Sequence, residues 1–302
     1  MTGTGFKVLV VGKTGQLARE LQRASWPQGW AVDFADRTVI DLAAPEAAAA
    51  AVLDAAPNLV VNAAGYTAVD KAEREPDLAH TVNALSPGAM ASACARLNIP
   101  FVALSTDYVF DGGKRGAYTE DDPVAPLGAY ARSKERGEEL VRAALGRHLI
   151  LRTSWVFSAF GTNFVRTMLR IGAERPSVGV VADQRGKPTA AADLAGAVIA
   201  ASAELARDPG AAGTYHLANA GPVSWYDFAV AIFDGAKSRG AKVPETVRAI
   251  TTAEYPTPAA RPANSELACD KFEHRFHMRL RSWRETLPDV LDELLMLAPA
   301  AH

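Results

Sequence analysis

The sequence predicts a doubly wound α/β protein: a parallel sheet flanked by helices, with a smaller α/β lobe toward the C-terminal end. Three observations carry this. Short apolar runs alternate with longer helix-forming stretches, a glycine turn follows the first run, and the alternation loosens after Trp155. Such alternation implies βαβ units, whose crossovers are right-handed and whose sheet is parallel.

Residues 8–11 form a continuous apolar run ending at Gly12, as a strand buried on both faces should. Helix formers fill 15–24. A second strand is expected at 32–35, an Ala-rich helix at 45–56 and a third strand at 59–61. A long helix follows at 78–97, then a strand at 101–104, a helix at 130–145 and a strand at 148–151. Beyond Trp155, residues 178–181, 190–205 and 213–217 still read as strand, helix and strand. The rest is richer in Pro, Arg and aromatics and closes on an amphipathic helix near 284–297. The expected division puts residues 1–155 and about 190–218 in the sheet domain. Residues 156–189 and 219–302 then form the lobe over the C-terminal strand ends, where open α/β sheets take their ligands.

Composition narrows the class. The chain has 302 residues, 49% hydrophobic and 22% charged, enough for a substantial buried core. Its formal charge of -2 offers no global field for nucleic acid or an anionic membrane. Cys94 and Cys269 lie far apart with no CxxC or Cys/His spacing, which argues against a disulfide framework or a zinc site. The apolar run near the N-terminus is only about five residues, far short of a signal-peptide core or a spanning helix. A cytoplasmic protein with no membrane partner is expected.

Gly12-Lys13-Thr14-Gly15-Gln16-Leu17-Ala18 joins the first strand to the first helix. Glycine at 12 permits a sharp exit from the strand. Glycine at 15 lets backbone approach a pyrophosphate that rests on the free N–H groups of the helix N-terminus. The spacing is GxxGxxA, with Ala18 where a small residue lets helix pack on strand, and it points to a Rossmann dinucleotide site. After the second strand, Asp36 suits a free ribose 2′-hydroxyl and Arg37 a 2′-phosphate, so either NADH or NADPH is admitted. Asp41 reads equally as a helix cap or an adenine contact.

Tyr130-Ala-Arg-Ser-Lys134 lies at the start of a helix, where residues four apart share a face. A ketone reduction needs a proton at the oxygen as hydride reaches the carbon. Tyrosine, with a reference pKa of about 10, is a poor acid–base, and a nearby ammonium is expected to draw it toward neutrality. The same lysine can hold the nicotinamide ribose. Ser105-Thr106-Asp107-Tyr108 follows the fourth strand, so Thr106 is expected to bond the substrate oxygen or the phenol.

These motifs, with Val61-Asn-Ala-Ala-Gly-Tyr-Thr-Ala-Val-Asp-Lys-Ala-Glu73, resemble the extended short-chain dehydrogenases. Arg152-Thr-Ser-Trp-Val-Phe, Asn163-Phe and Arg261-Pro-Ala-Asn-Ser narrow the resemblance to the dTDP-4-dehydrorhamnose reductases, over residues 6 to 290. The resemblance implies NADPH- or NADH-dependent reduction of a dTDP-4-keto-sugar. It makes Tyr130 the proton donor, Lys134 its partner and ribose anchor, and Thr106 the tuner of the phenol. It assigns cofactor contacts to Gly12, Gly15, Gln16, Leu17, Asp36, Arg37, Asp41, Leu42, Ala64, Gly65, Tyr66 and Thr67. Asp107, Tyr108, Trp155 and Arg261 match sugar-nucleotide contacts, and Arg261 is the favoured diphosphate anchor. Trp155 reads either as a stacking surface or as core packing. Tyr66 stands where some members carry histidine.

Some members are described as magnesium-bridged dimers. Here Glu20 remains a candidate ligand, but the run Thr189-Ala-Ala-Ala-Asp193 has no glutamate, so magnesium is not expected. A homodimer is compatible with the apolar positions of 69–75 and 78–97. Two other readings compete. An epimerase or dehydratase on this scaffold would recycle bound NAD, and a dehydratase would want Asp-Glu where this chain has Asp107-Tyr108. A non-catalytic nucleotide-binding subunit, as in methionine adenosyltransferase, would tolerate loss of Thr106, Tyr130 and Lys134, all of which are present.

Overall fold

The computed structural model describes residues 5–296; the ends of the two expected domains, with Leu297, lie outside these residues. The first half contains β1 (Phe6–Val11), α1 (Gln16–Arg23), β2 (Trp30–Ala35), α2 (Pro45–Ala55), β3 (Leu59–Asn62), α3 (Val69–Ala72) and α4 (Pro76–His80). It continues through α5 (Ser86–Leu97), β4 (Phe101–Thr106), α6 (Ala129–Ala144) and β5 (His148–Thr153). Then come β6 (Val156–Phe157), α7 (Phe164–Glu174), β7 (Ser177–Val181), β8 (Arg185–Gly186), β9 (Thr189–Ala190), α8 (Ala191–Arg207) and β10 (Gly213–His216). The chain ends with β11 (Val223–Ser224), α9 (Trp225–Lys237), β12 (Thr246–Ile250), α10 (Asp270–Phe276) and α11 (Trp283–Met296).

Six strands form one parallel sheet in the order β10-β5-β4-β3-β1-β2. Its doubly wound topology agrees with the expectation from strand–helix alternation. Strand side chains alternate between faces, and both faces of β1 are apolar. Val8 and Val10 join Leu17, Leu21, Leu194 and Val198 in a core beneath α1 and α8. Leu9 and Val11 face the other way, into a core with Ala48, Val52, Met90 and Val141 from α2, α5 and α6. Full burial of each such valine stabilises the fold by roughly 1.5–3 kcal/mol. The strand order reverses between β1 and β3, and this switch point is where a doubly wound sheet opens a crevice at its carboxyl edge.

A third core lies outside the sheet, where Phe157, Val165, Val180, Phe228, Ile232 and Trp283 pack among α7, α9 and α11. The small pairs β6–β9, β7–β12 and β8–β11 brace it. The expected strand at 178–181 therefore belongs here, paired with β12, and not to the main sheet. Two-residue strands are too short for any periodicity to announce them. Helices α7 and α9 do carry N-cap side chains, Asn163 and Ser224, which accept from the backbone N–H of Arg166 and Asp227.

The expected continuous helix at 78–97 is interrupted. Thr81–Leu85 forms a wide π turn between α4 and α5. Pro87 explains it: having no N–H, it releases the carbonyl of Asn83 four residues earlier. That carbonyl lies against α6, where a Cβ on Gly137 would come within 2.1 Å of it. Gly137→Ala should therefore reverse the usual helix-propensity gain of up to about 1 kcal/mol. Urea unfolding is expected to show a loss of about 1–3 kcal/mol from overpacking; an unchanged midpoint would show that α6 lies farther from the turn.

Candidate active site

The crevice at the switch point is built first by backbone. Gly12 leaves β1 with φ of 116° and donates its N–H to the Ala35 carbonyl at 2.8 Å. A Cβ there would be strained and would sit 3.3 Å from the Ala64 nitrogen, so a side chain would crowd the exits of both β1 and β3. Gly15 is the N-cap of α1 and no side chain caps that helix. A Cβ on Gly15 would meet no atom of another described segment within 4 Å, which leaves open space before the first-turn N–H groups. That geometry fits a pyrophosphate. Gln16 is steadied by Asn163, whose Nδ2 donates to Oε1 at 2.9 Å, while Leu17 turns into the core.

At the end of β2, Asp36 accepts from the Thr38 hydroxyl at 2.5 Å and from the Thr38 N–H at 3.0 Å. These bonds, with Lys13 at 3.7 Å, hold its carboxyl below the usual range. The Arg37 side chain is 80% exposed and 3.4 Å from Asp41, so it can turn toward a ligand at little cost. Asp41 accepts from the Ala43 N–H at 2.9 Å, the geometry of a local turn cap. The Leu42 side chain is core, and its carbonyl accepts from Ser86 at 2.6 Å.

The loop after β3 is pinned by a residue that the sequence reading missed. Asn83 accepts from the Tyr66 N–H at 2.8 Å and donates to the Tyr66 carbonyl at 2.9 Å and to Ser133 at 3.0 Å. It ties Ala64, Gly65, Tyr66 and Thr67 to the helix that carries Tyr130. Gly65 lies beside Lys134, whose Nζ would be 4.0 Å from a Cβ there. The available signal was an Asn between the apolar residues Val82 and Ala84 of a helical stretch.

Thr106, Asp107, Tyr108, Tyr130 and Lys134 come together at the carboxyl end of β4 and the start of α6. Thr106 donates to Asp107 at 3.1 Å and accepts from the Tyr108 N–H at 3.2 Å. The Tyr108 ring meets that of Tyr130 edge-on, with centroids 6.2 Å apart. Asp107 is 3% exposed, and its Oδ2 has no hydrogen-bond partner in good geometry among the described residues, Ser265 being its polar neighbour. Burial pushes its carboxyl up to about 7. Lys134 donates to the Leu104 carbonyl at 2.6 Å, and burial brings its ammonium down to about 8 against the opposing pull of Glu138.

The expected drift of the Tyr130 phenol toward neutrality does not occur. Burial pushes it up to about 12; Thr106 pulls the other way and Asp107 adds to the rise. Desolvation of the phenolate outweighs any help from an ammonium engaged with a carbonyl. At neutral pH the phenol is protonated and able to donate.

Glu138 was also missed, although it lies four residues after Lys134 on the same helical stripe. Burial alone would raise its carboxyl, but Arg152 at 2.7 and 2.9 Å holds it below the usual range. Ser105 donates to it at 2.5 Å. This pair stands directly behind Lys134.

Two residues assigned to the sugar nucleotide are engaged elsewhere. Arg261 is clamped by Asp70, with Nη1–Oδ1 at 2.7 Å and Nη2–Oδ2 at 2.8 Å. Trp155 has φ of 47° and stacks on Trp225 at 3.4 Å with a 6° interplanar angle. Glu20 is buried and accepts from Ser158 at 2.8 Å. Among the described residues no cluster of three or more His, Cys, Asp or Glu is arranged to hold a metal, and no helix is long and apolar enough to cross a membrane.

Comparison with known proteins decides the family. The family model of the RmlD substrate binding domain matches residues 6–296. A dTDP-4-dehydrorhamnose reductase of Sinorhizobium fredii is 43% identical, covering 96% of this chain and 98% of that protein. The chain belongs to the dTDP-4-dehydrorhamnose reductase family. The solved reductase of Bacillus anthracis, in complex with NADP, superposes with a TM-score of 0.88 at 34% identity, covering 96% of this chain and 99% of that one. A probable dTDP-4,6-dihydroxy-2-methyloxan-3-one 4-ketoreductase of Streptomyces antibioticus is 39% identical, with 95% of each chain covered.

In this reductase-family chain the Asp107 carboxyl is protonated more readily folded than unfolded. Its contribution to stability is complete below about pH 4 and is lost as pH rises to about 7. Asp107→Asn should therefore gain stability relative to the parent between those values and no further above them. Urea titrations at several pH values check this, and a pH-independent difference would show that Asp107 is ionised in the fold.

Proposed function

We propose that this chain reduces the 4-keto group of dTDP-4-dehydro-L-rhamnose to dTDP-L-rhamnose, with NADPH or NADH as reductant and Tyr130 as proton donor. The observation that carries the reading is the partly buried Tyr130 side chain in one wall with Thr106 and Lys134, beside the glycine crevice. The names of its relatives supply the substrate class.

Gly12, Gly15, Gln16 and Leu17 would hold the dinucleotide, Asp36 and Arg37 its adenosine ribose, and Gly65, Tyr66 and Thr67 the segment nearer Lys134. When bound, the reduced nicotinamide supplies a hydride to C4. Tyr130 gives its proton to the ketone oxygen as the C=O bond becomes an alcohol, and Thr106 orients that oxygen. A developing alkoxide is far more basic than a phenolate, so a phenol near 12 is acid enough. Lys134 steadies the phenolate left behind and keeps two N–H donors for the cofactor ribose. Residues 156–189 and 219–296 would serve as the sugar-nucleotide lobe, with Asp107 and Tyr108 on its sheet side and Trp155 available only beside its stack on Trp225. Arg261 must then exchange Asp70 for the diphosphate.

The Streptomyces antibioticus relative supports a second reading, a 4-ketoreductase acting on another dTDP-keto-sugar. The first assay supplies dTDP-4-dehydro-L-rhamnose with NADPH and follows absorbance of the reduced nicotinamide. Stoichiometric oxidation with rhamnose on the nucleotide supports the proposal; binding without oxidation points to a different keto-sugar. Tyr130→Phe should lower kcat by ~10²–10⁴-fold with NADPH affinity nearly unchanged, and retained turnover would remove Tyr130 from the mechanism. Lys134→Ala should weaken cofactor binding and turnover together. Arg37→Ala should penalise NADPH more than NADH, and equal effects would leave Arg37 a plain surface residue.

A further inference from the structure

Residues 69–75 supply no group to the hydride or proton transfer above. In the fold they form a short turn whose side chains reach three separate segments. Asp70 grips Arg261 bidentately and also accepts from the Ala259 N–H at 3.2 Å. Glu73 accepts from the Ala129 N–H at 2.7 Å. Glu75 accepts from the Tyr66 hydroxyl at 2.8 Å and pairs with Lys71 at 2.9 Å. One turn thus holds the substrate-side loop, the start of α6 and the cofactor-side loop.

The Glu73 contact stands closest to the reacting phenol. Helix α6 has no cap of its own, because its N-cap is Gly128. The carboxylate of Glu73 supplies that cap from another segment, and its charge meets the positive end of the helix. A Cβ on Gly128 would lie 2.6 Å from Glu73 Oε1, so a side chain there would displace the capping carboxylate. The same Cβ would be 3.8 Å from the Ala259 Cβ, so the Arg261 loop rests on this junction. Tyr130 is the next residue after Ala129. Tyr66 and Tyr130 both pack on the Ala72, Ala79 and Ala129 cluster beneath the turn. A shift in the helix start therefore moves the phenol directly, while Lys134, a turn later, stays fixed to Leu104.

We propose that Glu73 is a positioning residue for the proton donor: it sets the start of α6, and Asp70 on the same turn couples that setting to the Arg261 loop. This rests on the reading of Tyr130 as the proton donor. The cap fixes where the phenol stands relative to Thr106. The Asp70–Arg261 pair makes that position depend on how the substrate-side loop is seated.

The test uses the full chain with NADPH and dTDP-4-dehydro-L-rhamnose, measuring kcat, KM, NADPH affinity and thermal stability for E73A, E73Q, E73D, D70A and Y130F. E73A should lower kcat about tenfold or more at temperatures where it is fully folded, since a small misplacement is costly in a proton transfer. NADPH affinity should stay within about twofold. Proton delivery should become more rate-limiting, so the solvent deuterium isotope effect on kcat should rise. E73Q keeps an acceptor at Oε1 and should recover most of the lost turnover. Should E73A fail to fold, E73D, with its carboxylate one methylene short, carries the same expectation. D70A, which frees the Arg261 loop from the turn that carries Glu73, should lower kcat. Wild-type kcat in folded E73A or E73D, with Y130F inactive, overturns the positioning role. Retained turnover in Y130F overturns instead the reading beneath it.

Discussion

The approach of Gly137 to the Asn83 carbonyl fixes how closely α6 lies against the upper edge of the sheet, and the polar wall of the crevice follows from it. A helix held at that distance brings Lys134 within reach of the Leu104 carbonyl and Glu138 within reach of Arg152. The Asn83 side chain, from the same residue, reaches the loop after β3 and Ser133 on α6. One backbone contact and one amide thereby lock cofactor-side loop, catalytic helix and strand end into a single frame. Side chains held in this way lose little freedom when a ligand arrives, which is what a site for proton transfer requires.

Electrostatics within the frame are set mainly by burial. Desolvation raises Asp107 and Tyr130 and lowers Lys134, so each moves toward its neutral form. Glu138 is the exception, because Arg152 compensates its charge with two hydrogen bonds. Asp107 Oδ2 and the two remaining N–H groups of Lys134 are polar capacity that the described residues of this frame leave open. Buried capacity of that kind is expensive unless something else meets it.

Most of the sheet domain was legible because its strands obey simple periodicity. Continuous apolar runs at β1, β3 and β4, bounded by helix formers and a glycine turn, leave little room for another architecture. The residues gathered around Tyr130 were legible for the same reason: strand ends and a four-residue helical spacing say where side chains converge. What escaped were relations between distant segments. Nothing local announces that Glu73 caps a helix fifty-six residues later, that Asp70 occupies Arg261, or that Pro87 opens a π turn at Asn83. The smaller lobe was poorly legible because its strands are two to five residues long and its core draws single residues from many elements. The expected fall of the Tyr130 pKa failed because spacing reveals proximity but not desolvation.

Trp155 stands between the last strand reached before the smaller lobe and the first strand within it, in a left-handed conformation that costs a bulky residue about 1–2 kcal/mol. It is held there by the Trp225 ring on α9, with Gly186 leaving room for the indole. Two indoles stacked at 3.4 Å and nearly parallel are also an optical device. Their electronic transitions couple strongly, and coupling between transition dipoles falls steeply with separation. The seam between sheet and smaller lobe thus carries an intrinsic chromophore pair, whose near-ultraviolet circular dichroism would register a slip of a fraction of an ångström between β5 and α9 with no label attached.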